Sequence, residues 1–379
     1  MPDAIARRVL PPDRPRPTRV LALAGDGIGP EVTAEALRVL RRAVARHALP
    51  VEVEEGAFGL AAWKAHGALL PAASRAAEAR ADAVLAGPLD SLDHTAIPME
   101  ERRTGGMAAL RDRLGLFVSL RPLRTDPVLA EVTPHKARVL DGVDLVFVRD
   151  LSGGAYLGQP RGIEHLAHGQ RRGVDTHSYT EDQVVRTARF AFALARGRRG
   201  RVTSVDKANL MESGALWRQV VTALHEDEFR DVALEHMLAD ACAPLLARDP
   251  ARFDVVLADS LFGDVLSAGA AALAGSPGML PSLSLSRPLP DGRRRALYEP
   301  VHGAAPGIAG KGVANPIGAI LSAALLLRWS VGAEAAAAEV EAAVAAALAG
   351  GARTADIALP GQPVVGTAAM GDAVLRGLG

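Results

Sequence analysis

Cysteine is almost missing from this chain: Cys242 stands alone among 379 residues. That excludes an internal disulfide and fits a reducing compartment such as the cytoplasm. Net charge is missing too, because 43 lysines and arginines face 43 aspartates and glutamates. No excess of either sign advertises a nucleic-acid or membrane partner, so any positive site must be local. Aromatic residues are scarce at 4% while apolar residues reach 49%, the balance of a packed α/β protein rich in Ala, Val and Leu. Long apolar runs are absent, since the stretch around 323–327 is too short to span a bilayer. His94, His135, His165 and His168 show no metal-ligand spacing. Residues 1–18 carry many prolines and no long apolar segment, so a disordered tail is expected there rather than a signal peptide.

What is present is a chain long enough for two lobes, with strand and helix alternating. Residues 20–23 read as a buried strand, followed by the turn G-D-G-I-G-P-E-V at 25–32 and an amphipathic helix to residue 46. Pro30 and Glu31 suit a first helical turn. The turn is not G-x-G-x-x-G, and a structural loop reads as well as a phosphate cradle. A strand at 51–55, a helix at 71–81, a strand at 83–87, a helix at 107–116 and a strand at 143–149 follow. Such alternation predicts a parallel sheet covered by helices. The charged, glycine-rich stretch 90–106 reads as an active-site rim or lid, and 151–162 as a β-hairpin or arm with glycines at its turns. Helices are expected at 181–196 and 233–247, with a strand at 202–205 between them. The strand 253–258 turns at Asp259-Ser260 and offers Asp264 where a helix should begin. A glycine-dense loop over 297–315 leads into helices at 316–329 and 333–349. No internal repeat or linker interrupts the body.

Three arginines sit in mostly apolar contexts: Arg111, Arg121 and Arg149. Clustered, they would grip a di- or tricarboxylate, because guanidinium binds carboxylate through two parallel hydrogen bonds. Three unrelated surface salt bridges are the competing reading. Lys207 ends a buried strand between Asp206 and Asn209. Partial desolvation would bring it into general-base range, whereas a simple pair with Asp206 would leave it structural. Tyr156 lies in the glycine-rich arm, as a proton donor or as interface packing. Asp240 and Asp264 could share a hard divalent ion, or each could be a solvated or capping acid. His302 lies in a loop whose backbone N–H groups could hold a cofactor phosphate, or is simply structural.

Together these segments resemble the β-decarboxylating dehydrogenases, the family of 3-isopropylmalate, isocitrate, homoisocitrate and tartrate dehydrogenases, with the 3-isopropylmalate branch nearest. The matches are G-D-G-I-G-P-E-V (25–32), the L-R and R-P around Arg111 and Arg121, V-R-D-L-S-G-G-A-Y-L-G (148–158) and S-V-D-K-A-N-L (204–210). They continue with L-E-H-M-L-A-D-A (234–241), R-F-D-V-V (252–256), L-F-G-D-V-L-S (261–267), E-P-V-H-G-A-A-P (299–306) and A-G-K-G-V-A-N-P (309–316). They occur in family order and cover nearly everything after residue 18.

The resemblance implies a two-domain α/β fold that is not a Rossmann fold, with the active site in the cleft between domains. A cofactor-binding first domain would take 19–118 and 275–379. The second, 119–274, would carry the dimer interface and the arm around Tyr156. The implied partners are a small hydroxy-dicarboxylate, a second copy of the chain sharing its active sites, NAD (NADP not excluded) and Mg²⁺ or Mn²⁺. Arg111, Arg121 and Arg149 would bind the substrate carboxylates, and Met107 its γ-substituent. Asp264 would bind the metal with Asp240 of the partner subunit. The partner subunit's Lys207 would be the base and Tyr156 the acid. His302, Gly303, Ala304, Ala305, Gly307, Ile308, Asn315 and Glu299 would line the dinucleotide. The implied reaction is oxidative decarboxylation of 3-isopropylmalate or a related malate derivative. A substrate of tartrate, malate or isocitrate type, or a catalytically silent regulatory member, is the alternative.

Four features depart from the family pattern: the metal site, the cofactor loop, the specificity helix and the segment 86–90. Ala268 stands where a second metal-site aspartate belongs, and Gly307 where isopropylmalate enzymes place an acid on the NAD ribose. No Lys-Tyr pair, the device of NADP-using isocitrate enzymes, replaces that acid. Thr104 replaces another acid, and Met107-Ala108 a pair of leucines, which reshapes the pocket while keeping it apolar. Ala86-Gly87-Pro88-Leu89-Asp90 replaces a Gly-Gly-Pro-Lys-Trp signature.

Overall fold

The computed structural model describes residues 16–89 and 97–379. Its strands in chain order are β1 (Thr18–Leu23), β2 (Val51–Gly56), β3 (Ala83–Ala86), β4 (Leu116–Arg124), β5 (Asp144–Asp150) and β6 (Gly162–His165). They continue with β7 (Arg171–Val174), β8 (Arg201–Asp206), β9 (Ala233–Leu238), β10 (Val255–Ala258), β11 (Pro281–Ser286) and β12 (Ala296–Pro300). The expected tail at 1–18 falls largely outside the described residues, and Thr18 already belongs to β1. Of the expected lid at 90–106, residues 90–96, His94 among them, also lie outside; Met99–Gly105 is a short helix.

The chain divides into two compact units. One holds the described residues up to Leu116, together with Thr125–Ala137 and Ala271–Gly379. Its strands lie in the order β2-β1-β3-β12-β11. All are parallel except β11, which runs antiparallel to β12. The central β3 and β12 are wholly buried, as strands covered on both faces must be, whereas the edge strand β2, V-E-V-E-E-G, alternates and is half solvated. Helix Ile317–Leu326, I-G-A-I-L-S-A-A-L-L, has no polar face and packs on β11, β12 and helix Gly29–Arg46.

The other unit holds Phe117–Arg124 and Arg138–Ala270, with strand order β4-β5-β10-β8-β9. β4 is antiparallel to β5, and the rest are parallel. Helix Glu181–Arg196 starts on a capping box: Thr180 accepts from the Gln183 N–H while the Gln183 side chain accepts from the Thr180 N–H. Asp254, only 1% exposed, locks the turn after this helix. Its carboxylate accepts from Arg198 Nε (2.8 Å) and from the backbone N–H groups of Arg199 and Arg201. Cys242 is buried, and burial pushes its thiol up to about 12.

Three elements differ from expectation. Residues 233–238 form the edge strand β9 and helix begins only at Ala239, because A-L-E-H-M-L pairs with β8 despite its helix-forming residues. The hairpin is β6–β7, after rather than within 151–162. The glycines of that stretch serve close approach instead: a Cβ on Gly153 would lie 2.6 Å from the Tyr179 ring, and one on Gly158 would lie 1.9 Å from the Thr176 carbonyl oxygen. Helix Ser260–Ala270 begins at Ser260, so Asp264 sits a full turn inside it, and Asp259 is the residue that caps it. Among the described residues, no helix is long and apolar enough to cross a membrane.

Replacing Asp254 with Ala leaves two backbone N–H groups without their acceptor and Arg198 with Asp144 as its remaining carboxylate partner, and costs about 2–3 kcal/mol of stability. Asp254→Asn, which keeps one carbonyl acceptor, costs less. Urea denaturation monitored by circular dichroism measures both.

Candidate active site

In the β4–β5 pair, Ser119 faces Arg149 and Arg121 faces Phe147, so alternation puts both arginines on one face. Helix Ser260–Ala270 packs beside β5 and presents Ser260, Asp264 and Ser267 along one stripe. Asp264 Oδ1 accepts from Arg149 Nη1 at 2.8 Å and pairs with Arg121 Nη2 at 2.9 Å. Its Oδ2 accepts from the Tyr156 hydroxyl at 3.3 Å. Arg149, 5% exposed, is braced through Nε on the Ser260 carbonyl (2.8 Å), and its guanidinium lies 5.5 Å from the centre of the Tyr156 ring. Arg121 Nη1 donates to Ser267 Oγ at 2.7 Å. Gly263 is what lets Arg149 pass: a Cβ there would lie 2.8 Å from Arg149 Cγ. Burial, then the Asp264 charge, hold the Tyr156 phenol above its ordinary pKa.

Lys207 Nζ pairs with Asp240 Oδ1 at 2.8 Å, and this lysine holds the Asp240 carboxyl below the usual range. The structural partnership of Lys207 with Asp206, weighed from the sequence, does not form. Asp206 instead accepts both arms of Arg218 at 2.9 Å. Neither Lys207 nor Asp240 bonds to Asp264 or Tyr156 within the described residues of one chain. Among the described residues, no group of three or more His, Cys, Asp or Glu side chains is placed so that it could hold a metal ion. One chain thus offers a single hard carboxylate at Asp264, 35% exposed on its side chain, with Ala268 exposed one turn later where a second would stand.

His177 escaped the sequence reading. Its Nε2 lies 3.0 Å from Asp259 Oδ2 and its Nδ1 2.9 Å from Ser213 Oγ. Asp259 in turn caps the Asp264 helix through the Phe262 N–H at 2.6 Å, and Ser213 lies in the first turn of helix Glu212–Glu228, just after the Lys207 turn. The imidazole therefore ties the Lys207 segment to the Asp264 helix. Its partners lie 36 and 82 residues away, so nothing local announced it.

In the other unit, Arg111 Nη2 donates to Glu299 Oε1 at 2.6 Å, so Glu299 has a cation to hold. Met107, half-buried, opens the helix Met107–Arg113 that carries Arg111. The G-D-G-I-G turn is a packing device. The Ile28 N–H donates to the Ala304 carbonyl at 2.8 Å, and a Cβ on Gly27 would lie 1.9 Å from that oxygen. This places the turn under the His302 loop, and Glu31 accepts from the Gly310 N–H. His302 Nδ1 is 3.0 Å from the Gly303 carbonyl, while its Nε2 is buried without a hydrogen-bond partner; burial lowers the ring's pKa. Gly303, Ala305, Gly307 and Ile308 are exposed and Ala304 is buried. An orphaned ring nitrogen beside exposed loop backbone fits a dinucleotide contact. Asn315 is otherwise engaged: Oδ1 accepts from the Ile317 N–H, and Nδ2 donates to Asp356 at 3.1 Å. A Cβ on Gly307 meets nothing within 4 Å, so an acid would fit there.

Residues 19–374 match the family described as isocitrate/isopropylmalate dehydrogenase. The chain is 50% identical over 359 residues to the protein named 3-isopropylmalate dehydrogenase 1 of Bradyrhizobium diazoefficiens, with 95% of each chain covered. It is 49% identical over 357 residues to the 3-isopropylmalate dehydrogenase of Symbiobacterium thermophilum, covering 94% of this chain and 97% of that one. Among solved structures, it is similar to the isocitrate dehydrogenase of Methylococcus capsulatus (TM-score 0.80, 29% identity, 95% of this chain and 99% of that chain). It is also similar to a β-decarboxylating dehydrogenase of Thermococcus kodakarensis (TM-score 0.72, 31% identity, 95% and 96%).

Gly263→Ala drives a methyl into Arg149 and destabilises by about 1–3 kcal/mol. Gly269→Ala, in the same helix but facing open space, stabilises by about 0.5–1 kcal/mol, because Ala is the better helix former. Denaturation of the two variants side by side separates contact from propensity.

Proposed function

The chain belongs to the isocitrate/isopropylmalate dehydrogenase family, and from that premise we propose that it oxidatively decarboxylates 3-isopropylmalate or a closely related 2-hydroxy-3-carboxy acid. The carrying observation is the convergence of Arg121, Arg149 and Tyr156 on Asp264, in a chain half identical to a 3-isopropylmalate dehydrogenase. The reading takes NAD as oxidant, Mg²⁺ or Mn²⁺ as metal, a homodimer as the working unit and the cytoplasm as its place. The exposed Ile163 and Leu166 on β6 and the turn after it, with Leu210 beside the Lys207 segment, suit burial by a second copy.

Bound, the ion supplies Lewis-acid polarisation of the substrate hydroxyl, and the dinucleotide supplies the hydride acceptor. Asp264 would hold the ion from this chain, with Asp240 of the partner subunit as its complement. His302, through its unpartnered Nε2, and the exposed loop from Gly303 to Ile308 hold the dinucleotide. Arg111, Arg121 and Arg149 orient the substrate carboxylates, and a carboxylate arriving between Arg121 and Arg149 frees Asp264 from them. The partner subunit's Lys207 takes the hydroxyl proton while the carbinol hydrogen leaves with its electron pair as hydride. The bond to the β-carboxylate then breaks, CO₂ departs, and its electron pair enters the enolate. Tyr156, held in its protonated form, delivers a proton to that carbon.

The test is reduced-nicotinamide formation from a panel of 2-hydroxy-3-carboxy acids with Mg²⁺ or Mn²⁺ and each dinucleotide. Turnover of an alkyl-substituted malate with NAD is the expected result. Absence of turnover with every acid, together with absence of metal binding, would overturn the reading in favour of a silent member. Lys207→Ala is expected to lower kcat by about 10²–10⁴-fold, and full turnover in that variant would remove the base role from this lysine. Gly307→Asp, placing an acid in open space on the cofactor loop, is expected to raise the preference for NAD over NADP by about tenfold, the value of one charge-assisted hydrogen bond. The ratio of kcat/KM for the two dinucleotides reads it.

A further inference from the structure

β1, β3 and β12 are parallel neighbours, so the residues at their starts meet at one end of the sheet. The Gly25–Gly29 turn and the His302 loop follow the opposite ends of β1 and β12. To the starting end the chain delivers Arg16, Arg19, Arg80, Arg293, Arg294 and Arg295, which surround a cavity of about 220 Å³ with one lining acid, Asp82.

The charges do not balance there. Asp82 is buried and saturated: it accepts two bonds from Arg16 (2.9 and 3.0 Å), one from Arg293 (3.2 Å) and one from the Arg19 N–H (3.0 Å). Glu52, Glu54 and Asp291 pair with Arg19, Arg80 and Arg293 respectively at the exposed rim. Arg294 and Arg295 have no carboxylate partner among the described residues. Each reaches only a backbone carbonyl, that of Ser286 at 3.1 Å and that of Arg113 at 3.4 Å. Both are half-buried, and burial alone lowers the pKa of Arg294. Guanidiniums with forked donors, partly desolvated and without a counter-charge, are the chemistry that recognises phosphate oxygens. The volume is below the roughly 300–1,000 Å³ of cavities that enclose drug-sized ligands, so the anion it fits is small.

We propose that this arginine-lined cavity is a binding site for a free phosphate anion of the size of pyrophosphate, separate from the dehydrogenase centre. Calorimetric titration of the full chain with sodium pyrophosphate, at fixed ionic strength and with NAD saturating, tests it. The expected result is one saturable site per chain, tighter for pyrophosphate than for inorganic phosphate. Arg294→Gln combined with Arg295→Gln should weaken it by about tenfold or more, with turnover in the absence of pyrophosphate unchanged. Arg80→Gln, whose side chain pairs only with the exposed Glu54, should weaken it several-fold and guards against a folding defect in the double variant. A flat titration, or an unaltered affinity in Arg80→Gln and in a folded double variant, would overturn the proposal. So would pyrophosphate binding that appears only when NAD is withheld, since the anion would then occupy the cofactor's own phosphate site.

Discussion

Arg149 is a guanidinium taken almost wholly out of water, and a buried cation needs an anion. Asp264 is that anion, and the cluster depends on the pairing. The Ser260 carbonyl fixes one edge of Arg149, Gly263 clears its path, and Arg121 reaches the same Asp264 oxygen from the neighbouring strand. Two guanidiniums facing one carboxylate cannot simply lose it. They can exchange it only for another anion. The neighbouring Tyr156 hydroxyl, 3.3 Å from Asp264, lies beside that exchange.

The sequence disclosed the types of residue in this cluster and the strands that carry them, because alternation and strand–helix order are local signals. It did not disclose which acid faces which base. Lys207 stands next to Asp206 in the chain and pairs with Asp240, 33 positions on, because Arg218 claims Asp206. Residues 233–238 carry Ala, Leu, Glu and Met, all good helix formers, yet ladder pairing to β8 makes them a strand. The glycines of 151–158 look like turn residues on paper. What they provide is room for the Tyr179 ring and the Thr176 carbonyl, contacts no window of sequence contains. His177 was illegible for the same reason, since its meaning lies in Asp259 and Ser213.

Acids in this chain fall into two kinds. Asp82, Asp150, Asp206 and Asp254 are buried, and each is tied to arginines, hydroxyls or backbone N–H groups that would be stranded without it. Asp240 is exposed and Asp264 partly solvated, and each pairs with a basic side chain. Positions 268 and 307, where the family pattern calls for carboxylates, belong with the second kind. Both are exposed, and Gly307 looks into open space. Exposed positions tolerate the absence of a carboxylate without disturbing packing, and the chain keeps half-identity to a relative over nearly its whole length.

The alanine at 268 bears on the charge balance of the cluster. Arg121 and Arg149 against Asp264 leave one positive charge in surplus; an aspartate one turn further along the same stripe would cancel it. Metal affinity at carboxylate sites rises with the count of charged ligands, and anion affinity rises with uncompensated guanidinium. Alanine at 268 therefore leaves the cluster poorer in carboxylate and richer in uncompensated guanidinium.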